Sequence, residues 1–333
     1  MGRLEDRLEC LYRNRRKLFS IHLDVTWRCP LDCLHCYLSD KGGDEMSGRE
    51  IEELLDQAAA MGVFTIGFSG GEVFARSDFL DLLAYARKHR FEIRVKTSGA
   101  FVPSAEIDSL IKLAPNLVDV SFYSHVAATH DAVTGRPGSF DSSLRTVLAL
   151  QSGGVLAQAA VTLLRGYGDD ARTIRAGLEA LGIAHVGFNE VDDSCNARTR
   201  MEDLCPTDEH LARQFALNAP DAEPVDRPGD DSPVCAPGSA PVHIAPDGTV
   251  RPCVLVDGVA GNVRSERIET LWNESAVLKD FRAMTWGAVE KCRACELRAW
   301  CRYCPARAAR LTGNPLIPPG EFCRLARLRR GAA

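Results

Sequence analysis

Residues 19 to 191 alternate short stretches rich in β-branched and aromatic residues with longer stretches of helical periodicity. Six stretches fit strands: FSIHLDVT, VFTIGFSG, FEIRVKTS, LVDVSFYS, LAQAAVTLL and HVGFNEV. After the first, Ser47 and Glu50 match a capping box, and the apolar residues that follow have helical spacing, which predicts an amphipathic helix. The same periodicity predicts helices over 79–89, 105–113, 140–150 and 171–181.

Alternating strand and helix units form parallel sheets with right-handed crossovers, so the sequence predicts an α/β fold. Six such units are fewer than the eight of a closed barrel. A partial barrel of six strand-helix units and an open doubly wound sheet are both consistent with the pattern. In either fold, chemically active side chains collect at the carboxyl ends of the strands.

The chain has 333 residues, of which 45% are hydrophobic, enough for one large domain and a smaller one. Its formal net charge of −5 argues against a general nucleic-acid binder, because such a protein needs a basic surface. No stretch reaches about 18 uninterrupted apolar residues, and the N-terminus lacks an apolar signal sequence. These features predict a cytoplasmic protein with neither nucleic acid nor membrane as a partner.

The composition of the chain changes after residue 191. Residues 202–231 are acidic and contain several prolines, which indicates a bridging segment of helix and loop. From residue 235 onward strand signals are few, and a small loop-rich unit usually needs metal or disulfide crosslinks. We therefore expect an N-terminal extension (1–18), an α/β unit (19–195), a bridging segment (196–234) and a small cysteine-rich domain (235–333).

The 13 cysteines are unusual for a chain without an export signal, because a reducing compartment disfavours disulfides. Clustered cysteines then indicate metal or redox chemistry. Cys29, Cys33 and Cys36 lie on the loop that leaves the first predicted strand. A zinc site would need a fourth nitrogen or sulfur ligand, and His35 is poorly placed for that because it is adjacent to Cys36. A four-iron four-sulfur cluster on three thiolates instead leaves one iron open for a substrate.

This C-x3-C-x2-C spacing, with a histidine before the third cysteine, resembles the signature of the radical S-adenosylmethionine (radical SAM) superfamily. The second predicted strand ends in SGGE, which is similar to the motif with which that family meets the amino group of SAM. The resemblance implies that Gly70 and Gly71 let the backbone approach SAM and that Glu72 accepts from its ammonium group. It also implies reductive cleavage of SAM to a 5′-deoxyadenosyl radical, which abstracts a substrate hydrogen.

The resemblance implies further SAM contacts. Ser121, at the end of the fourth predicted strand, resembles a family serine near the SAM carboxylate. Arg136 is expected either to pair with that carboxylate or to be a solvated loop cation. Tyr37 is expected to line the adenine pocket or to be a core aromatic. The sequence Thr97-Ser98-Gly99 resembles the family's T-N-G at the third strand, with serine in place of asparagine.

Seven cysteines near the C-terminus resemble the pattern of a SPASM domain, with one spacer shortened from three residues to two. Family usage implies two auxiliary four-iron clusters, and therefore three clusters in all. One auxiliary cluster would be held by Cys292, Cys295, Cys301 and Cys323. The other would be held by Cys235, Cys253 and Cys304, with no obvious fourth thiolate. A zinc ribbon on the residues from Cys292 to Cys304 is the alternative interpretation.

Radical SAM proteins with SPASM domains mainly modify genetically encoded peptides, so the resemblance implies a maturase that crosslinks or epimerises a ribosomally synthesised peptide. The alternatives are an enzyme that acts on a small molecule or tetrapyrrole, such as a haem-pathway decarboxylase, and a non-enzymatic iron-sulfur electron carrier. The resemblance also implies a reductant such as flavodoxin or ferredoxin. Only 18 residues precede the first strand, so leader recognition is expected to need a separate protein or the basic segment 13–17.

Cys195 follows the sixth predicted strand, at the same end of the sheet as Cys29 to Cys36. Three roles are open for Cys195. The first is to donate a hydrogen atom to a substrate radical, as in peptide epimerases of this superfamily. The others are to be the missing ligand of an auxiliary cluster, or to pack as a small buried apolar side chain.

Overall fold

The computed structural model describes residues 2–38, 42–167, 170–189, 201–218, 228–235 and 240–332. Its strands form one nine-stranded sheet in the order β6-β5-β4-β3-β2-β1-β7-β8-β9. The first six strands are β1 (Ser20–Asp24), β2 (Thr65–Ser69), β3 (Glu92–Thr97), β4 (Leu117–Phe122), β5 (Ala157–Thr162) and β6 (Val186–Asn189). Each lies within a stretch that the sequence predicts to be a strand.

These six strands are parallel and lie next to one another in sequence order. Right-handed crossovers that all advance in one direction place every connecting helix on the same face of the sheet. The other face then becomes an interior, which makes the sheet a partial barrel and not a doubly wound sheet. The prediction of an α/β partial barrel is confirmed.

The two faces of the barrel strands differ in polarity. On β1, Ile21 and Leu23 belong to the main hydrophobic core, at 1% and 0% exposure. His22 and Asp24 alternate with them and therefore point to the interior. The outer positions bury apolar surface against the helices, so the inner positions are left for polar side chains.

Seven helices accompany the barrel strands: α1 (Gly2–Asn14), α2 (Gly48–Ala60), α3 (Phe79–Lys88), α4 (Ser104–Leu113), α5 (Ala127–Thr134), α6 (Ser139–Ser152) and α7 (Ala171–Ala180). The predicted capping box of Ser47 and Glu50 starts α2. The sequence pattern predicts neither α1 nor α5. Arg94 on β3 donates a 2.5 Å hydrogen bond to Glu5, so α1 lies against the amino-terminal end of the strands.

The rest of the described chain contains α8 (Met201–Leu204), α9 (Asp208–Asn218), β7 (Pro241–Ile244), β8 (Thr249–Arg251), β9 (Gly261–Asn262), α10 (Ile268–Glu274), α11 (Ala276–Ala283), α12 (Pro305–Thr312) and α13 (Gly320–Ala332). β7 pairs in parallel with β1, and β8 and β9 follow as antiparallel strands. The cysteine-rich region therefore extends the barrel sheet. This extension was not predicted, because the strands are only two to four residues long.

A second small core supports the C-terminal region, where Trp286, Tyr303 and Phe322 pack together. On another side, Leu325 of α13 packs with Leu211 and Phe215 of α9. Within the described ranges, no helix has the length and apolar character needed to cross a membrane.

Candidate active site

The loop that follows β1 carries Cys29, Cys33 and Cys36, and we call residues 29–36 the cysteine loop. Helix α5 holds this loop by its backbone. The amide of Asp32 donates to the carbonyl of Thr134 at 2.8 Å, and the amide of Leu34 donates to the carbonyl of Val133 at 3.0 Å. The unpredicted helix α5 therefore fixes the position of the cysteines at the carboxyl ends of the strands.

Tyr123, directly after β4, lies beside the sulfurs of the cysteine loop. Its hydroxyl donates to Sγ of Cys33 at 4.0 Å. Burial raises the pKa of Tyr123 well above its usual value, and negative charge on Cys33, Cys36 and Cys29 raises it further. The hydroxyl contacts Cys33, and the charges of all three cysteines act on it, so the three cysteines lie around Tyr123. Three thiolates on one short loop fit a four-iron cluster with one open iron.

His35 covers the other side of Tyr123. The two rings meet edge-on, with their centres 5.0 Å apart. Burial lowers the pKa of His35 to about 4, so its imidazole is neutral at physiological pH. Together the two rings form an aromatic wall beside the partly exposed cysteines.

Glu45 braces the residues that lead into the cysteine loop. Its carboxylate accepts hydrogen bonds from the hydroxyl of Thr26 at 2.7 Å and from the amide of Trp27 at 2.9 Å. The guanidinium of Arg28 adds a third contact at 3.3 Å. Burial raises the pKa of Glu45, but these bonds outweigh burial and hold the pKa below its usual range.

The turn after β2 packs directly on the same residues. A Cβ on Gly71 would lie 2.2 Å from the carbonyl oxygen of Arg28, and a Cβ on Gly70 would lie 2.6 Å from that of Thr26. Gly70 also has a φ of +122°, which favours glycine. The two glycines therefore let the turn approach the backbone before Cys29. The sequence led us to expect these glycines because of an approach to SAM. The close backbone contact is a second reason for them, which was not predicted.

The carboxylate of Glu72 is 2% exposed and is surrounded by donors from its own chain. One oxygen accepts from the hydroxyl of Thr97 at 2.6 Å and from the amide of Phe74 at 3.4 Å. The other oxygen accepts from the amide of Ser98 at 2.8 Å and from the Ser98 hydroxyl. Burial raises the pKa of Glu72, although these bonds oppose the shift. Glu72 thereby joins the ends of β2 and β3.

The inner faces of β3 to β6 border a polar cavity of about 160 Å³. Ser121 lines it with the two aromatic residues of the cysteine site, His35 and Tyr123. The other lining residues are Lys96, Asp119, Gln158, Ala160, Thr162, Gly187 and Asn189. Small and hydrogen-bonding side chains beside the cluster site suit a polar ligand such as SAM.

Two other predicted SAM contacts lie outside this cavity. Arg136 is exposed in the turn between α5 and α6, and its guanidinium lies 5.5 Å from the centre of the Phe101 ring. The hydroxyl of Tyr37 donates to the carboxylate of Asp24 at 3.0 Å. Tyr37 is thus linked to β1 and is only partly exposed.

Four C-terminal cysteines meet at a second site. Cys292, Cys295, Cys301 and Cys323 line one small cavity with aromatic walls. Burial raises the pKa of Cys301 to about 12, with contributions from the charges of the three other cysteines. Burial and mutual repulsion therefore disfavour the thiolate forms, and a bound metal ion stabilises them. The donor set therefore fits the predicted four-cysteine cluster.

Arg298 holds this second site together. Its guanidinium is 3% exposed and donates to the carbonyl of Cys292 at 3.0 Å and to that of Arg293 at 2.8 Å. It also donates to the carbonyl of Pro228 and to the carboxylate of Asp230, both at 2.8 Å. One side chain thus joins the end of the bridging segment to the cysteine turns.

The remaining predicted ligands are less closely described. Cys235 and Cys304 pack against the small core around Tyr303. Cys253 lies just after β8 and is partly exposed. Cys195 lies outside the described residues.

Sequence reasoning missed one group inside the barrel. The Nε2 atoms of His22 and His243 lie 3.1 Å and 2.9 Å from the two carboxylate oxygens of Asp24. The available signal was the alternation of the polar residues His22 and Asp24 with the apolar residues Ile21 and Leu23 in one strand.

Comparisons with known proteins agree with this site. The profile of the radical SAM superfamily matches residues 23–176, and that of SPASM, an iron-sulfur cluster-binding domain, matches 235–296. A PqqA peptide cyclase of Gluconobacter oxydans is 26% identical over 318 residues, which cover 89% of this chain and 87% of that protein. The mycofactocin maturase MftC of Mycolicibacterium smegmatis is 27% identical, covering 90% and 81%. An AdoMet-dependent heme synthase of Nitratidesulfovibrio vulgaris is 26% identical, covering 87% and 88%.

Solved structures show the same fold. Streptococcus suis SuiB bound to S-adenosylmethionine superposes with a TM-score of 0.73 at 15% identity, covering 95% of this chain and 80% of that one. The structure of anSMEcpe with bound AdoMet superposes with a TM-score of 0.74 at 15% identity, covering 95% and 93%. The two matched profiles, the cysteine loop at the carboxyl ends of the strands and the SGGE turn lead to one conclusion. The chain belongs to the radical SAM superfamily and carries a C-terminal SPASM iron-sulfur domain.

Proposed function

We propose that this enzyme uses S-adenosylmethionine to abstract a hydrogen atom from a ribosomally synthesised peptide during the modification of that peptide. The observation that carries the proposal is the placement of the cysteine loop between Tyr123, helix α5 and the SGGE turn at the carboxyl ends of the strands. Relatives named as a peptide cyclase and as a maturase cover most of the chain, which supports a peptide substrate.

Cys29, Cys33 and Cys36 would hold the SAM-binding cluster. Such a cluster supplies one electron for the cleavage of SAM, whose adenosyl group then removes a hydrogen atom from the substrate. The chain itself excludes water with His35 and Tyr123 and binds the polar ligand in the cavity that includes Ser121. Glu72 fixes the turn that faces the cluster and is proposed to accept from the SAM ammonium group. Arg136 is proposed to pair with the SAM carboxylate, and Tyr37 to border the adenine.

We further propose two auxiliary four-iron clusters, for a total of three. The fit is supported for Cys292, Cys295, Cys301 and Cys323 by their shared cavity. The second set, Cys235, Cys253 and Cys304, rests on the family spacing. Flavodoxin or ferredoxin is the proposed reductant, and a separate protein the proposed reader of a leader sequence.

Crosslinking and epimerisation are the two proposed outcomes for the peptide. Cys195 bears on the choice, because its thiol is one proposed hydrogen donor for epimerisation. The variant Cys195→Ser separates its three roles. If Cys195 is the hydrogen donor, the variant keeps its iron but forms no product. If Cys195 is a ligand, the variant loses about four irons of one cluster. If Cys195 only packs, the variant changes little.

A tetrapyrrole or another small molecule is the second candidate substrate, since a relative named as a heme synthase covers a similar share of the chain. The test is to incubate the anaerobically reconstituted enzyme, SAM and dithionite with each short peptide encoded near its gene and to measure peptide mass. A mass loss supports crosslinking. A mass that is unchanged in H₂O but raised by incorporated deuterium in D₂O supports epimerisation. If no such peptide changes while a porphyrin precursor is consumed, the second candidate replaces the first.

A further inference from the structure

The inner face of the barrel carries three hydrogen-bonded residues, His22, Asp24 and His243, that are not among the proposed cluster or SAM contacts. His22 on β1 and His243 on β7 are direct partners in the sheet, and their ring centres lie 5.5 Å apart. Both rings aim Nε2 at Asp24, which is fully buried. Tyr37 donates a third hydrogen bond to the same carboxylate.

The protonation of this group follows from the carboxylate. Burial raises the pKa of Asp24, but hydrogen bonds from His22 and His243 outweigh burial and hold the pKa well below its usual range. An ionised carboxylate only accepts hydrogen bonds, so Nε2 carries the proton in both rings. Burial lowers the pKa of His22. The hydrogen bond and the charge of Asp24 raise this pKa, whereas the charges of Lys96 and His243 lower it, and the net shift is downward. His22 is therefore neutral at physiological pH, and its Nδ1 is unprotonated.

The two histidines differ in what their Nδ1 atoms meet. Nδ1 of His243 is buried and has no hydrogen-bond partner in the described part of the chain. The side chain of His22 is 31% exposed. Its neighbour across the sheet is Gly67 of β2, where an added Cβ would meet nothing closer than 3.9 Å. The missing side chain leaves His22 open to the interior.

A metal ion is the competing interpretation of two histidines and one aspartate. Ligation through Nε2 would move the proton of His243 to a buried Nδ1 that lacks an acceptor. Metal-bound histidines almost always donate their other N–H. The contacts of His243 therefore favour a hydrogen-bonded dyad over a metal site.

We propose that Nδ1 of His22 accepts a proton from a side-chain thiol or hydroxyl of the peptide, with Asp24 and His243 as positioning residues. The S–H or O–H bond breaks, its electron pair stays on the heteroatom, and the proton moves to Nδ1. Asp24 stabilises the resulting imidazolium, as in other carboxylate-histidine pairs. Lys96, which lines the interior and whose charge acts on His22, stabilises the anion.

The proposal rests on the proposed peptide-modifying function. Its first test uses no substrate, so that the result for His22 does not depend on identifying the peptide. Diethyl pyrocarbonate reacts with unprotonated imidazole nitrogen, and mass spectrometry locates the product. His89 is the matched internal control, with Nε2 2.9 Å from the Asp56 carboxylate and 27% exposure, but outside the barrel. In the reconstituted holoenzyme, we expect His22 to react with a pH midpoint below about 6.5 and His243 not to react. An unreactive His22, or a midpoint at or above that value, overturns the proposal.

The second test uses the peptide identified by mass in the functional assay and compares His22→Gln with His89→Gln. We expect His22→Gln to keep iron content, SAM affinity and transfer of substrate deuterium to 5′-deoxyadenosine, but to lower product formation about 100-fold. His89→Gln should match the wild type. Full product formation by His22→Gln contradicts the proposal. One equivalent of zinc that the wild type retains and His22→Gln loses also contradicts it, because this result would indicate a metal site. If the wild type modifies no peptide, the proposed function fails while the footprint still tests His22.

Discussion

The hydroxyl of Thr97, at the end of β3, donates a 2.6 Å hydrogen bond to the carboxylate of Glu72, just beyond β2. Both side chains are almost fully buried, at 3% and 2% exposure. The bond joins two neighbouring strand ends at the point where the SGGE turn meets the cysteine loop. The motif that the family uses to contact SAM is thus also a clamp between two strands of the barrel.

The variant Thr97→Val tests this clamp. Valine removes the donor at nearly constant volume and leaves a buried carboxylate oxygen short of one hydrogen bond, which costs about 1–3 kcal/mol. We expect a lower free energy of unfolding in urea and a several-fold weaker SAM affinity by titration calorimetry. Thr173→Val, at an exposed position of α7, is the control. Unchanged values for both quantities in Thr97→Val would show that the contact is incidental.

Gly71→Ala should lower the iron content of the SAM-binding site. The added methyl group would lie 2.2 Å from the carbonyl oxygen of Arg28, so the backbone before Cys29 must move. We expect reconstituted protein to lose about four iron atoms while the auxiliary iron remains. Gly320→Ala is the control, because a Cβ there meets nothing within 4 Å. Full iron with weakened SAM binding in Gly71→Ala would instead mean that the glycine serves only ligand approach.

Arg298→Met should damage the auxiliary site selectively. The substitution leaves the carbonyl groups of Cys292 and Pro228 without their buried donor, and we expect a loss of about 3 kcal/mol in stability. Iron held by Cys292, Cys295, Cys301 and Cys323 should be lost, whereas the electron paramagnetic resonance signal that SAM perturbs should persist. Arg327→Met, at an exposed position of α13, should keep all iron. Retention of all iron by Arg298→Met would contradict the role of this guanidinium.

Acid should weaken the attachment of α5 to the start of α6 through Asp131. Burial raises the pKa of Asp131, but hydrogen bonds from the amides of Phe140 and Gly138 outweigh it and lower the pKa. A lowered carboxyl pKa contributes stability above the usual value of about 4, and this stability is lost as the pH falls. We expect Asp131→Asn to cost about 1 kcal/mol at neutral pH and to match the wild type more closely in acid.

The measurement for Asp131 is thermal unfolding of the cluster-free chain at several pH values. Asp141→Asn, at an exposed position in the first turn of α6, is the control. A difference between Asp131→Asn and the wild type that stays constant with pH would contradict the assigned ionisation.

The barrel strands could be predicted because local patterns determine them. β1 to β5 each alternate buried apolar residues with inner positions, and the stretches end near glycine, serine or threonine. Helix α5 could not be predicted in the same way, since its eight residues include two threonines and one histidine and lack an apolar stripe. Its contacts with the cysteine loop, and not its propensity, stabilise it.

The candidate site divides in a similar way. The cysteine ligands are recognisable because a cluster requires fixed spacings between residues close in sequence. The pair of Asp24 and His243 is separated by 219 residues, and only the parallel pairing of β7 with β1 brings the two together. Sequence spacing therefore contains no record of that contact. The second role of Gly71, its approach to Arg28, likewise depends on the packed loop and not on the motif.

All proposed chemistry of this enzyme begins with the cleavage of SAM by an open cluster on Cys29, Cys33 and Cys36. The most direct measurement is anaerobic formation of 5′-deoxyadenosine from SAM and dithionite by the reconstituted wild type and by the triple variant Cys29→Ala, Cys33→Ala, Cys36→Ala. We expect 5′-deoxyadenosine from the wild type only. The triple variant should contain about four fewer iron atoms and keep its auxiliary iron. Equal 5′-deoxyadenosine formation by both proteins, or a wild type that contains zinc and almost no iron, would contradict it.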